Sequence, residues 1–303
     1  LSRHASVHAA GVVIAPGPLD EYVPVCVQTG KNGSGGDGEE AMVVTQYDMN
    51  CLEEVGMLKM DFLGLKTLTV IHYAVEMVRA RLGSLQHPQT GVVYDAIDDV
   101  PLDDLAVYHM LARGGTSGVF QFESRLAQDK LRAMKCDRFE DLVATNALIR
   151  PGPLDSGMTE VYIRRKVGQE LVQYPHPDLR KTLEPTYGII VYQEQVMRIA
   201  NILGGYSLGE ADVLRKAVGK KDAALIKKEL GHFITRASDR GVDRRLAEDL
   251  ADQIETFGRY GFNRSHAAAY SLISYHTAWL KAHHPAEFMA AILSAVLDKT
   301  DDV

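Results

Sequence analysis

Short apolar runs bounded by turn residues mark the first sixty positions. Gly11-Val12-Val13-Ile14-Ala15 stops at Pro16, Met42-Val43-Val44-Thr45 comes next, and Met57-Leu58-Lys59-Met60-Asp61-Phe62 follows. Runs of this length between turn signals predict strands. Between the first two, Thr29 to Gly38 holds five glycines in ten residues. That composition predicts a surface loop, and it lacks the Gly-Lys-Ser/Thr ending of a phosphate-binding loop.

From Leu65 onward the period changes. Leu65, Leu68, Ile71, Val75 and Val78 recur at helical spacing and stop at Gly83, which predicts an amphipathic helix over 64–82. The same pattern predicts helices over 103–112, 124–134, 138–149, 156–167, 192–203, 208–218, 222–240, 244–257, 265–283 and 286–297. Ser207 with Glu210 reads as a capping box, Asp243 as an N-cap, and Pro285 as the break between the last two helices. No fixed-period repeat is present. The fold class expected is α+β and predominantly helical, a few short strands followed by a long helical region.

Composition narrows the class. With 46% hydrophobic and 24% charged residues the 303-residue chain can bury a sizeable core, as one large domain or two ordinary ones. The net charge of -7 argues against a protein that is basic throughout, but its distribution is uneven. Residues 1–150 carry 13 basic and 20 acidic side chains, and residues 151–303 carry 20 of each. Three separated cysteines, Cys26, Cys51 and Cys136, make neither a disulfide framework nor a zinc pattern, so a reducing cytoplasm is expected. No run approaches 18 apolar residues and no signal-peptide pattern is seen, so no membrane partner is expected.

Several places carry candidate chemistry. Strand alternation puts Lys59 and Asp61 on one face, where they read either as a structural ion pair or as a metal ligand beside a phosphate-binding lysine. The window 215–228 holds six basic residues, among them Arg215, Lys216, Lys220 and Lys221, against one acid, Asp222. That density suits phosphate, Arg as a fork and Lys as a point charge, and it also suits a solvated helix end. In Gly258-Arg259-Tyr260-Gly261-Phe262-Asn263-Arg264-Ser265-His266, glycines bracket Tyr260, and Asn263 or Ser265 can cap the helix carrying His266. This is a glycine hinge with a capping cluster, or an anion site at a helix N-terminus. Arg150-Pro151-Gly152-Pro153 reads as a rigid turn from which Arg150 reaches a phosphate or serves structure alone. Gln193 and Glu194 position ligand contacts or simply flank an apolar core run. His72, His276, His283 and His284 read as ordinary surface or partly buried residues. His4 and His8 lack the intervening Glu of a metalloprotease helix, and no zinc is placed there.

Taken in order, HAAGVVIAP (His8–Pro16), VTQYD (Val44–Asp48), KMDFLGLKTL (Lys59–Leu68), GVFQFES (Gly118–Ser124), IRPGPLDSGM (Ile149–Met158), EPTYGIIVYQEQVM (Glu184–Met197), LRKAVGKK (Leu214–Lys221) and YGFNRSHAAAYSLISYHTAWLKAHHPAEF (Tyr260–Phe288) resemble the family C replicative DNA polymerases, the bacterial DNA polymerase III alpha subunits. The resemblance covers nearly the whole chain. It implies the C-terminal part of a nucleotidyltransferase-like palm over 1–66 and helical fingers, incomplete at the C-terminus, over 67–303.

That family joins deoxynucleotides to a primer end by a two-metal mechanism, with Mg2+ ions roughly 4 Å apart clamping the attacking and leaving oxygens. By resemblance, Asp61 is the third palm metal ligand and Lys59 a phosphate contact. The Asp-x-Asp pair and the Gly-Ser turn that cradles the triphosphate are expected upstream of Leu1. Neither Asp98-Asp99 nor Asp103-Asp104 replaces that pair, since they fall at a loop and a helix start. Arg215, Lys216, Lys220 and Lys221 are then expected on the triphosphate, with Lys216 standing where the family commonly has a second Arg. Tyr260 is expected at the nascent base pair, and Asn263, Arg264, His266 and Arg150 at nucleotide or DNA. Implied partners are primer-template DNA, deoxynucleoside triphosphates, the remaining palm and thumb, and other replicase subunits that bind outside this stretch. The chain alone is expected to be inactive. The alternatives are a non-catalytic nucleotide- or DNA-binding half of a split polymerase, completed by a second chain, and a scaffold without activity.

Overall fold

β-Branched runs cut by Gly and Pro give the strands, and long 3.6-period stretches give the helices. The computed structural model describes residues 10–29, 41–62, 64–220, 223–258 and 261–297. The glycine-rich loop, apart from Thr29, lies outside the described residues, as do His4, His8, Lys221 and Tyr260. The chain divides into two compact units, Leu1–Thr69 with Leu293–Val303 and Val70–Ile292.

In chain order the first unit holds β1 (Gly11–Ile14), β2 (Val25–Thr29), β3 (Ala41–Thr45), α1 (Met49–Glu54) and β4 (Leu58–Asp61). β1 pairs antiparallel with β4, Gly11 opposite Asp61 and Val13 opposite Lys59. β2 pairs antiparallel with β3, Val25 opposite Thr45. A small core of Val23, Leu52 and Met57, with Val13, Ala15 and Leu19 packed on it, holds these ribbons together. β2 and α1 are absent from the pattern reading: Val25-Cys26-Val27-Gln28 runs straight into the glycine-rich loop, and α1 is too short and polar to stand out.

The helical series follows: α2 (Lys66–Leu82), a hairpin of β5 (Leu85–Gln86) and β6 (Val93–Tyr94), α3 (Leu105–Ala112), α4 (Arg125–Met134), α5 (Phe139–Leu148), α6 (Pro151–Asp155) and α7 (Met158–Lys166). Then come α8 (Arg180–Leu183), α9 (Gln193–Gly204), α10 (Leu208–Lys220), α11 (Ala223–Asp239), α12 (Arg244–Gly258), α13 (Arg264–His283) and α14 (Pro285–Ser294). The architecture is α+β and predominantly helical. The expected turn at Pro151 is instead the start of α6, since proline's missing N–H is one of the first-turn donors that a helix leaves unpaired anyway.

Two centres of packing organise the second unit. α13 packs against α5 and α3, burying Trp279 and Tyr275 completely. α9, α10, α11 and α12 close around Ile199, Leu214, Phe233 and Ile254, all fully buried. Ser207 and Glu210 form the reciprocal capping box of α10, with bonds of 2.7 and 3.3 Å, and Asp243 accepts from the N–H of Leu246 at 3.1 Å. One reading needs correction: His276, His283 and His284 are buried, at 4%, 7% and 1% exposure. α13 is a central helix covered on most sides, so its polar positions go inside with its apolar ones.

Candidate nucleotide and nucleic-acid site

On β4 the period of two places Lys59 and Asp61 side by side, Nζ to Oδ1 at 2.9 Å. The lysine is mostly covered and the carboxylate half exposed, with side-chain exposures of 17% and 48%. Asp61 stands across from Gly11 in the β1–β4 register. A half-exposed carboxylate offers the hard oxygen that Mg2+ prefers.

In the second unit most of the candidate side chains gather around two helix starts. α9 begins at Gln193-Glu194 directly after a parallel bridge between Tyr192 and Phe262, and the N–H of Gln193 donates to the carbonyl of Phe262 at 2.9 Å. Asn263 caps α13, accepting from the N–H of His266 at 2.8 Å. The Asn263 amide donates to Glu194 at 2.9 Å, and the backbone N–H of Arg264 lies 3.1 and 3.0 Å from the two Glu194 oxygens. Acidic Glu194 therefore sits at both helix N-termini, where the dipoles favour it.

α10 joins the same cluster through Arg215. Its Nη1 reaches Gln193 Oε1 at 3.3 Å, and its Nε donates to Asp212 at 2.7 Å. Lys216 reaches the other Asp212 oxygen at 2.9 Å. The bonds from Lys216 and Arg215 hold the Asp212 carboxyl below its ordinary range. Asp212 was not singled out in the sequence, although Asp-x-x-Arg-Lys gives the i,i+3 and i,i+4 spacing at which helical ion pairs form.

Arg150 is exposed beside the same cluster. Its guanidinium lies 3.8 Å from the centroid of the Phe262 ring, and burial lowers its pKa. Through this contact it touches the segment before α13. The His266 ring stacks at 4.2 Å on Tyr270 and meets Phe262 edge-on at 5.4 Å. Arg150, Arg215, Lys216, Asn263, Arg264 and His266 are thus linked through Gln193, Glu194, Asp212 and Phe262. Lys220 ends α10, and Lys59 with Asp61 form their own pair in the first unit.

A second polar cluster lies elsewhere in the second unit. The N–H of Ala106 and Val107 donate to Asp104 Oδ1 at 2.8 and 3.2 Å, while His283 and His87 approach Oδ2 at 2.8 and 3.2 Å. The three side chains have the donor set of a metal site. However, His87 Nδ1 accepts from the N–H of Gln89 and Thr90, both at 3.3 Å, so its proton is on Nε2 and points at Asp104. The cluster is a hydrogen-bonded clasp tying the β5–β6 hairpin, α3 and α13.

The comparisons with known proteins follow the same division. A family model for the bacterial DNA polymerase III alpha NTPase domain matches residues 1–64, and one for the bacterial DNA polymerase III alpha subunit finger domain matches residues 67–241. The chain belongs to the bacterial DNA polymerase III alpha subunit family. It is 46% identical to DNA polymerase III subunit alpha of Escherichia coli K12, with all of this chain and 25% of the relative covered. It is 49% identical to that of Aquifex aeolicus, covering all of this chain and 24% of the relative. For Pseudomonas aeruginosa the figures are 46%, all of this chain and 25%. The chain spans about a quarter of the length of these curated relatives. No helix among the described residues is long and apolar enough to cross a membrane.

Proposed function

We propose that this chain supplies part of the active centre of a template-directed DNA polymerase working in the cytoplasm on primer-template DNA and deoxynucleoside triphosphates. Residues 1–66 are the later part of its palm and residues 67–303 most of its fingers. Other replicase subunits engage the protein outside this stretch. Asp61 holds Mg2+, which when bound stabilises the charge on the attacking and leaving oxygens. Lys59 orients that carboxylate and offers its own charge to a phosphate. Arg215 and Lys216 take the triphosphate, Arg215 as a fork and Lys216 as a point charge. Lys220 and Lys221 extend that basic stretch. Arg264, His266 and the start of α13 add donors and a helix dipole for a further phosphate, and Tyr260 packs at the nascent pair.

The observation that supports this reading is the gathering of Arg215, Lys216, Arg264 and His266 around the starts of α9 and α13. A triphosphate needs several charge-assisted donors at once, and Gln193 and Glu194 tie α10 to α13 so that they act together. Asp61 alone cannot hold two ions, so the chain by itself extends no primer. Titration of the chain with dATP and Mg2+ tests the reading. Arg215→Ala should weaken binding by about 1.5–3 kcal/mol, the worth of a charged hydrogen bond. Unchanged affinity would remove Arg215 from the site.

A further inference from the structure

A left-handed corner in the backbone precedes the cluster around the starts of α9 and α13. Tyr187 ends the short turn Glu184–Thr186 with φ +53° and ψ +39°, a conformation that L side chains rarely adopt, and Gly188 follows with φ +80°. Position 188 admits no side chain, because a Cβ there would lie 2.2 Å from the Gln173 carbonyl oxygen. A non-glycine residue keeps such a geometry only where its surroundings fix it. Tyr187 is gripped at three points. Its hydroxyl accepts from Arg138 Nη2 at 2.7 Å, its carbonyl accepts from Arg165 Nη1 at 3.0 Å, and its ring meets the fully buried Tyr162 ring edge-on at 5.2 Å between centroids. Arg138 is itself anchored: its Nε donates to Asp141 at 3.3 Å, and Lys166 reaches the other oxygen of that fully buried carboxylate at 2.8 Å. These bonds tie the start of α5 to the end of α7 away from water.

From the corner, a strap of residues 188–192 leads to the start of α9. Gln195, itself buried, holds both ends of it. Its Oε1 accepts from the N–H of Val191 and of Tyr192 at 2.8 and 2.9 Å, and its Nε2 donates to Thr186 Oγ1 at 2.7 Å. Thr186 directly precedes Tyr187, so a movement of the corner is passed to the end of the strap. Immediately beyond, Gln193 accepts from Arg215, while Glu194 accepts from Asn263 and from the Arg264 N–H. The grip on Tyr187 therefore reaches α10 and α13 through the first turn of α9.

We propose that Tyr187 is a positioning residue of the nucleotide site: held by Arg138, it sets the strap that aims Gln193 and Glu194, and through them Arg215 and the start of α13. The identity of the ligand rests on the polymerase reading above, whereas the coupling rests on this chain of bonds alone.

Tyr187→Phe removes only the hydroxyl and leaves the ring contact and the carbonyl bond in place. Its affinity for dATP with Mg2+, titrated well below the melting temperature, should fall about threefold, within the roughly fivefold that one hydrogen bond is worth. Hydrogen–deuterium exchange should rise over residues 191–195 and, across the cluster, over residues 262–267. In a Gln193→Ala, Glu194→Ala background, which lacks the two side chains that pass the effect on, Tyr187→Phe should cost no further affinity. A tyrosine that serves stability alone would lower the melting temperature and leave affinity and exchange over 262–267 as they were. Unchanged affinity in a chain that binds dATP, unchanged exchange over 262–267, or an equal loss in the double background each overturns the proposal. If the parent chain binds no dATP, the polymerase reading falls instead, and exchange over 262–267 decides the coupling by itself.

Discussion

Glu194 and Arg264 are 70 residues apart, yet both carboxylate oxygens of Glu194 lie within 3.1 Å of the Arg264 backbone N–H. The same carboxylate accepts from Asn263 Nδ2, so a single acid at the start of α9 fixes the start of α13. These bonds are exposed, and water replaces part of what is lost on substitution. Glu194→Ala should therefore cost only about 1 kcal/mol of stability. Its effect on dATP affinity should exceed that of the conservative Glu194→Gln, which keeps one acceptor oxygen. Thermal unfolding and nucleotide titration of both variants provide the check. Equal losses of affinity would mean that Glu194 acts through its charge and not by holding α13.

Asp212 pairs with both Arg215 and Lys216, offsetting one of their two charges. Asp212→Asn should raise dATP affinity, because the two cations no longer have to leave a carboxylate to meet a phosphate. The rise should shrink as salt is added, since these side chains are partly exposed. A fall in affinity would show that Asp212 aims the two cations and does not compete for them.

Glu210 gives a prediction in pH. The N–H of Ser207, followed by Arg236, pulls its pKa from 4.5 down to about 2. A folded-state pKa below the unfolded value means that the carboxylate form stabilises the fold. That contribution is complete above about pH 4.5 and is lost as pH falls toward 2. The melting temperature of Glu210→Gln should lie below that of the parent at pH 6, and the gap should close as pH approaches 2. A gap independent of pH would exclude the ionised cap as its source.

Asp104 makes its clasp from a part-buried position. Burial pushes its carboxyl up, but the Val107 N–H and His283 outweigh this and leave it below the ordinary range. Asp104→Ala removes an N-cap worth about 1 kcal/mol. It also leaves the nearly buried His283 without its partner, at a further cost of about 1–3 kcal/mol. Urea denaturation should show a total loss of about 2–4 kcal/mol. Because His87 points its proton inward, added Zn2+ should leave the parent's midpoint unchanged, and a clear rise would reassign the cluster as a metal site.

Much of this organisation is legible in the sequence because local rules decide it. The helix from Leu208 starts at the expected capping box, and Asn263 caps the helix that carries His266. Long-range pairing is what pattern cannot give. Nothing local to Glu194 marks its bond to residue 264, and nothing in Arg150-Pro151-Gly152-Pro153 shows that Arg150 lies on the Phe262 ring. The histidines of α13 misled because the helix periodicity around them is blurred. A helix covered on nearly every side has no polar face to reveal which of its residues are outside.

Gly261 couples that hidden packing to the site. A side chain there would place its Cβ 2.6 Å from the Phe257 ring, and Phe257 is itself 3% exposed in the core of α9 to α12. The ring cannot swing away without opening that core, so the backbone at 261 must shift instead. Phe262 follows directly and carries the bridge to Tyr192, the Arg150 contact and the edge of His266. Gly261→Ala should therefore cost about 1–3 kcal/mol in stability, as overpacking does. It should also lower dATP affinity, although residue 261 itself offers no charge to a phosphate. The combination Gly261→Ala, Phe257→Leu gives the new methyl room and should recover most of the lost affinity. If affinity stays low once stability returns, Gly261 is needed for a close backbone approach to the ligand and not only for packing against Phe257.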